Sequence, residues 1–405
     1  MFNCLRALML ASVMLLAACS GESAPSGAPQ NFSVTAGDGQ VVVHFTQEAG
    51  KTYWVFLAQG DSGINRSTYV SAPGARVVWP VNDGGIVSGL TNGQVYSFFM
   101  NASNGNGPAG PETGTLVATP RLAGSTWTAN TPIGTTGADT KGIAFGLSDF
   151  MTVSRDGNAY ISTDGKTWTA TTSSPSIGPL NSVAFNGTSS IFVAVGDNGV
   201  ISSSSDAATW TTRTSNTTAK LNGVSAVGGS YVAVGDGGTI IGTSDYTNWV
   251  VRTSGVTANL HNVKYVGGSF VAVGDNGTIV SSPDGFTWTV QTSGTTANLY
   301  DVAYGTDSAT STALYMAVGA NGTILTSTDL TTWTAEAPVT SNTLYGVVYG
   351  SQFMIVGSGG LVMYATDGST WTAPTSAVTG DLLSVIYALG EYLTVGVGGV
   401  NQFSS

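Results

Sequence analysis

Six aspartates stand four residues before a tryptophan: Asp164 before Trp168, Asp206 before Trp210, Asp245 before Trp249, Asp284 before Trp288, Asp329 before Trp333 and Asp367 before Trp371. A carboxylate at fixed spacing could be a catalytic acid or a turn-former. Six acids in six copies of one repeat cannot converge on one bond, whereas Asp readily accepts backbone N–H groups just beyond itself. These residues are therefore expected to be structural. Other candidates are scarce. Residues 121–405 hold four arginines, Arg121, Arg155, Arg213 and Arg252, and two glutamates, Glu336 and Glu391. The two histidines are His261 and His44, the latter expected to face outward on a strand, so no histidine metal site can be assembled. Neither a metal nor a cofactor is expected. What remains is a polar set suited to binding: Arg155, Asp197, Asp236 and Asp275 at one turn position of successive repeats, Arg213 and Arg252 three residues after their tryptophans, and His261 with Lys264. Lys264 interrupts a column otherwise made of Ala144, Ala184, Ser225, Ala303, Val348 and Ile386. A simpler account is that Asp favours these turns and Lys264 extends into a wet central channel.

The elements that position these residues recur. Seven tryptophans, beginning at Trp127, stand 38 to 45 residues apart. Each repeat gives four strand signals: L-x-x-V-x-[FY], an apolar run such as Val271-Ala-Val-Gly, a third strand after Asp275-Asn-Gly, and a fourth ending in Thr-Trp-Thr. Asn-Gly and Gly-Gly between apolar runs signal tight hairpins because their residues accept positive φ. A period of this size indicates a propeller. The last repeat stops at Ser405 without a fourth strand, and Ser125-TWTAN is a fourth strand without a blade. Joining the two closes a seven-bladed β-propeller with an N-terminal outer strand and removes two sheet edges. The tryptophans are expected in the blade cores.

Ahead of the propeller, residues 28–120 read as an all-β sandwich, with Val41, Val43 and Phe45 on one face. Inward Tyr53, Val55 and Leu57 would meet Tyr96, Phe98 and Met100, leaving Trp54, Phe56 and Phe99 outside. Outward aromatics on one sheet imply packing against the following domain, or binding of a sugar or a protein. The pattern, with Tyr96 six residues after Leu90, resembles a fibronectin type III domain and its tyrosine corner. Phe45 replaces the usual second-strand tryptophan.

The first 18 residues have Arg6 and an apolar run from Ala7 to Ala18, too short to span a bilayer permanently and shaped as an export signal. The run ends in Leu16-Ala17-Ala18-Cys19, which resembles the lipobox of bacterial lipoproteins. That resemblance implies lipid on Cys19 and, with Ser20 behind it, delivery to the outer membrane. Residues 19–27 form a Ser/Gly/Pro tether. Losing the leader leaves 11 basic and 23 acidic side chains. That balance argues against nucleic acid, which needs clustered cations. With Cys4 removed and Cys19 consumed, disulfides and cysteine metal sites are excluded.

The tryptophan motif, as in Ser162-TDGKTW and Ser282-PDGFTW, resembles the Asp-box of bacterial neuraminidase repeats, one residue shorter than usual. In such families the box forms the hairpin between third and fourth strands, opposite the active site. With VAVGDNGTI before it, the whole repeat resembles the seven-bladed photosystem II assembly factor family, implying a scaffold rather than an enzyme. Sialidase chemistry would need three converging arginines and a tyrosine–glutamate pair, and the charge inventory weighs against it. The expected function is non-catalytic binding of a protein or glycan by a monomeric, membrane-anchored lipoprotein of the cell envelope. Alternatives are a glycan-active hydrolase, marked by paired carboxylates about 5 to 9 Å apart, and a structural or adhesive surface protein.

Overall fold

The computed structural model describes residues 25–105, 107–108, 110–134, 137–175 and 178–404 of the 405-residue chain. Cys19 and the apolar leader lie outside the described residues. Two units are formed, one up to Ala123 and one from Gly124 to Ser404. Among the described residues no helix is long and apolar enough to cross a membrane.

In the first unit, Ser33–Gly37, Gln40–His44 and Gly85–Ser88 make a three-stranded sheet. Arg76–Val78, Thr52–Gln59, Tyr96–Ser103 and Leu116–Ala118 make a four-stranded one. Val41, Val43 and Phe45 pack with Tyr53, Val55, Leu57, Tyr96, Phe98 and Met100 in one buried cluster, as period-two alternation requires. Tyr96 Oη accepts the Thr91 N–H at 3.1 Å, pinning the turn that leads into its strand. Trp54, Phe56 and Phe99 do lie on the opposite face, yet they are not a surface. They are buried with Ile64 and Tyr69, against Ala72, Ala75 and Val77 of the same unit, and Phe56 stacks on Phe99 at 4.6 Å. The expectation that these aromatics await another domain or a ligand is corrected. The excursion between residues 60 and 75 carries its own apolar side chains and covers the sheet.

The second unit consists, among the described residues, of seven antiparallel sheets. Blade 4 is typical: Leu260–Val266, Ser269–Gly274, Ile279–Ser282 and Thr289–Gln291, hydrogen-bonded in that order. The other inner strands are Thr140–Gly146, Leu180–Asn186, Leu221–Val227, Leu299–Asp307, Leu344–Tyr349 and Leu382–Ala388, which define blades 1, 2, 3, 5, 6 and 7. The N-terminal strand Thr128–Ala129 completes blade 7 by pairing with Asn401–Ser404, with Phe403 opposite Thr128. Asn130 and Asn401 extend this short closure: the Asn130 amide donates to Asn401 Oδ1 at 2.7 Å and the Asn401 amide to the Thr131 carbonyl at 2.9 Å. Blade 6 keeps just a bridge, Tyr364 to Thr372, at its fourth position. Pro374 follows two residues later and has no N–H to continue the ladder.

The core lies between blades. Ile191, Val193 and Val195 of blade 2 pack on Leu221, Tyr231, Ile241 and Trp249 of blade 3 in one cluster. The tryptophans are less uniform than their repetition suggests. Trp127, Trp249 and Trp333 are buried, whereas Trp168, Trp210, Trp288 and Trp371 are half-buried at the blade margins. In blades 2 to 7 the turns between second and third strands are short 3₁₀ turns in which two consecutive residues have positive φ, as at Asn276 (55°) and Gly277 (69°). Gly277 is required twice over, since a Cβ there would lie 2.0 Å from the Thr295 carbonyl.

Candidate functional site

Every inner strand slips by one residue near its start. Leu260 pairs with Gly274 and Asn262 with Val273, leaving His261 without a partner. The same β-bulge sets out Lys141, Asn181, Asn222, Tyr300, Tyr345 and Leu383 in the other blades. The cause is the L-x-x-V spacing: Leu260 and Val263 are three apart yet both fully buried, which a regular strand forbids unless one residue is extra. The extra residues all line one cavity of about 690 Å³ along the inner strands. Repeated seven times, the bulge therefore builds a ring of side chains at one mouth of the central channel.

That ring has two arcs. Lys141, Asn181 and Asn222 form a polar arc, and His261, Tyr300 and Tyr345 an aromatic one, with ring centroids 5.0 Å apart for His261–Tyr300 and 5.5 Å for Tyr300–Tyr345. The turn residues lock the ring. Arg155 donates to Asn181 Oδ1 at 2.8 Å and reaches Asp197 at 3.4 Å, while the Asn181 amide donates to Asp197 at 2.8 Å. The Asn222 amide donates to Asp236 at 2.8 Å. His261 Nε2 lies 2.6 Å from Asp275 Oδ1, whose other oxygen accepts from Asn259 at 2.9 Å. Burial draws the Lys141 ammonium below its ordinary value, reinforced by the Arg155 and Lys220 cations and opposed by Asp139 and Asp197.

Deeper in the channel, Lys264 Nζ meets Asp301 Oδ2 at 2.7 Å and the Val347 carbonyl at 2.7 Å. Asp301 is buried, and its oxygens also accept from the Asn262 amide and from the backbone N–H groups of Val302 and Val347. Among the described residues it is the one acid lining the cavity, and neither Glu336 nor Glu391 lines it.

The sequence-derived binding set is thus brought together in part. Arg155, Asp197, Asp236, Asp275 and His261 gather around the mouth, and Lys264 lies inside the channel. Arg213 and Arg252 do not join them. Both sit on outer strands, Arg213 donating to Ser203 Oγ at 2.8 Å and lying 5.6 Å from the Tyr246 ring, Arg252 lying 4.5 Å above Phe286. Each clamps an aromatic of the next blade, so their repetition has a structural reason. Lys141, Asn181, Asn222 and Asp301 are not in the sequence-derived set, although the broken period-two pattern at L-x-x-V is a visible signal for Asn181 and Asn222.

The six tryptophan-motif aspartates sit in turns at the opposite ends of the third strands. In each, one carboxylate oxygen accepts the N–H groups two and three residues on, as Asp284 does from Phe286 at 2.8 Å and Thr287 at 2.9 Å. These bonds hold the carboxyls of Asp245, Asp284 and Asp329 below the ordinary range.

Residues 84–223 match the family model described as the DUF6242 beta propeller domain. A search of curated proteins gives no sequence match. Among solved structures, YCF48 from Cyanidioschyzon merolae is similar at a TM-score of 0.54 and 16% identity, over 69% of this chain and 98% of that one. The structure of YCF48 bound to D1 peptide gives 0.58 and 18%, over 69% and 96%. The WD40 beta propeller domain of Doa1 gives 0.56 and 15%, over 69% and 97%. At these identities the likeness is one of fold.

Proposed function

We propose that the propeller is a non-catalytic binding module that receives a protein segment at the bulge-built mouth of its channel. The observation that carries this reading is the seven-residue ring itself. A polar and an aromatic arc face one cavity of peptide-sized volume, and rim turns hold their side chains in place. Likeness in fold to YCF48 bound to D1 peptide supports a protein partner. Hydrolysis of a glycan would need paired carboxylates, and Asp301, the single acid of the cavity wall, spends both oxygens on four donors. We further propose that lipid on Cys19 anchors the chain at the outer membrane and that the sandwich is a fibronectin type III-like spacer.

The test places a photocrosslinking residue at Tyr345 in the mouth or at Phe286 on the outer rim, in the envelope-anchored protein. A discrete adduct from the Tyr345 position, competed by the purified propeller and missing from the Phe286 position, is the expected result. Equal adducts from both positions would remove the mouth as the binding site, and turnover on a glycan panel would restore the hydrolase alternative.

A further inference from the structure

The second unit is acidic, with 7 Lys and Arg against 17 Asp and Glu between residues 124 and 404. The wall of its channel has the opposite sign: Lys141, Lys220 and Lys264 line it against Asp301 alone. Lys264 is neutralised by Asp301. Lys141 and Lys220 are half-buried and make no ion pair among the described residues.

The acids near this mouth form no ion pair with either lysine among the described residues and take other donors, although Asp139 and Asp197 act on Lys141 from a longer distance. Asp197 accepts from Asn181 and Arg155, Asp236 from Asn222, and Asp275 from His261 and Asn259. Asp139 accepts the Gly398 N–H at 3.1 Å and Asp381 the Gly359 N–H at 2.8 Å. Among the described residues the two ammonium groups have no hydrogen-bond acceptor in the protein, so up to six N–H donors are open to an anionic ligand entering the channel. The Arg155 fork, which would suit a phosphate, is already committed to Asn181 and Asp197. What remains open is a pair of point charges facing an aromatic arc across the same mouth.

Resting on the reading of this mouth as a peptide site, we propose that Lys141 and Lys220 recognise a peptide carboxylate, with Tyr300 and Tyr345 taking the apolar side chain beside it. The carboxylate is a free C-terminus or an acidic side chain. Both present the same two oxygens to the lysines.

Fluorescence anisotropy with the whole mature protein tests this. The probes are a labelled Gly-Gly-Ser-Phe peptide with a free C-terminus, its C-terminal amide, and a Gly-Gly-Glu-Phe amide. The free acid is expected to bind at least tenfold more tightly than the plain amide. The Lys141→Gln/Lys220→Gln variant should lose that advantage, binding acid and plain amide alike, with an unchanged unfolding midpoint. Lys141→Arg should retain the advantage. Recovery of affinity by the Glu-containing amide would identify a side-chain carboxylate as sufficient, and failure to recover would specify the C-terminus. Equal affinity for acid and plain amide, or an advantage that survives in the double variant, overturns the proposal. If equal affinities are both lost in Tyr345→Ala, the peptide site stands without carboxylate recognition. If no peptide binds, both readings fall, and displacement of the acid peptide by equimolar glucuronate would overturn the peptide as the source of the carboxylate.

Discussion

Lys264 Nζ lies 2.7 Å from Asp301 Oδ2, and the same carboxylate oxygen accepts the N–H of Val347 at 2.8 Å. One buried acid therefore joins the inner strands of blades 4, 5 and 6. The two ends of this contact are unequal. Replacing Asp301 with Ala strands a lysine and several backbone and amide donors in the wall, and should cost about 3–5 kcal/mol. For a unit of this size that lowers the unfolding midpoint by roughly 5–10 °C. Lys264→Met leaves Asp301 with three donors and an opening to the channel, and should cost about 1–2 kcal/mol. Calorimetry of both single variants and the double variant measures the coupling. Equal losses for the two single changes would contradict this asymmetry.

Repetition does not make the tryptophans equivalent. Trp249 is 1% exposed and packs near Tyr231, so Trp249→Ala should destabilise by about 3–5 kcal/mol. Half-buried Trp210 should lose about half as much on the same change, since the loss scales with area removed from water. Denaturant unfolding curves of the two variants, compared at constant slope, decide the point.

The tryptophan-motif turns give the propeller an acid-side limit. Asp367 is held down at about 2, first by the Thr370 side chain and then by the Thr370 backbone N–H. Asp206 is lowered in the same way by Thr209. A folded pKa below the unfolded value near 3.9 means stability that is complete above about pH 4 and drains as pH falls toward 2. Thermal midpoints should stay flat from neutral pH to about 5 and decline below about 4. Asp206→Asn/Asp245→Asn/Asp329→Asn, which keeps turn-forming side chains, should make that decline shallower. A decline already complete by pH 5 would place the acid sensitivity elsewhere.

Carboxylate binding should weaken with rising pH before an ordinary lysine would titrate at 10.5, because burial, Arg155 and Lys220 lower the Lys141 pKa against the pull of Asp139 and Asp197. A bound carboxylate raises that pKa again, so affinity is full below the lowered value and falls as pH climbs through it. Anisotropy titrations of the free-acid peptide across the alkaline range, with Lys141→Arg as control, read this out. The arginine variant should hold its affinity to higher pH.

If Cys19 carries the proposed lipid, Cys19→Ser should release the protein from the membrane fraction and abolish labelling by a palmitate analogue, because acyl chains would supply the anchoring energy. Membrane retention without label would overturn the lipoprotein reading.

Much of this fold was legible in the linear pattern. The Trp-to-Trp period and the orphan strand after Gly124 are covalent facts, and that strand pairs with Asn401–Ser404 to complete blade 7. Alternation likewise placed Val41, Val43 and Tyr96 in the sandwich core. Alternation gives Trp54 and Phe56 the correct face but not what covers it. Ile64 and Tyr69 lie in a connection without strand periodicity, and no local rule says that such a segment folds back over its own sheet.

By itself the sequence determined the strands, the ring of blades and the structural role of Asp164, Asp206, Asp245, Asp284, Asp329 and Asp367, because those depend on spacing within one repeat. The tertiary structure decided the site. Arg213 and Arg252 share a repeat position with no route to the channel, whereas the bulge turns Lys141, Asn222, His261 and Tyr300 from four different blades into one cavity wall. Spacing along a chain fixes which face a residue takes. Closure of a ring fixes which faces meet, and that depends on every blade at once.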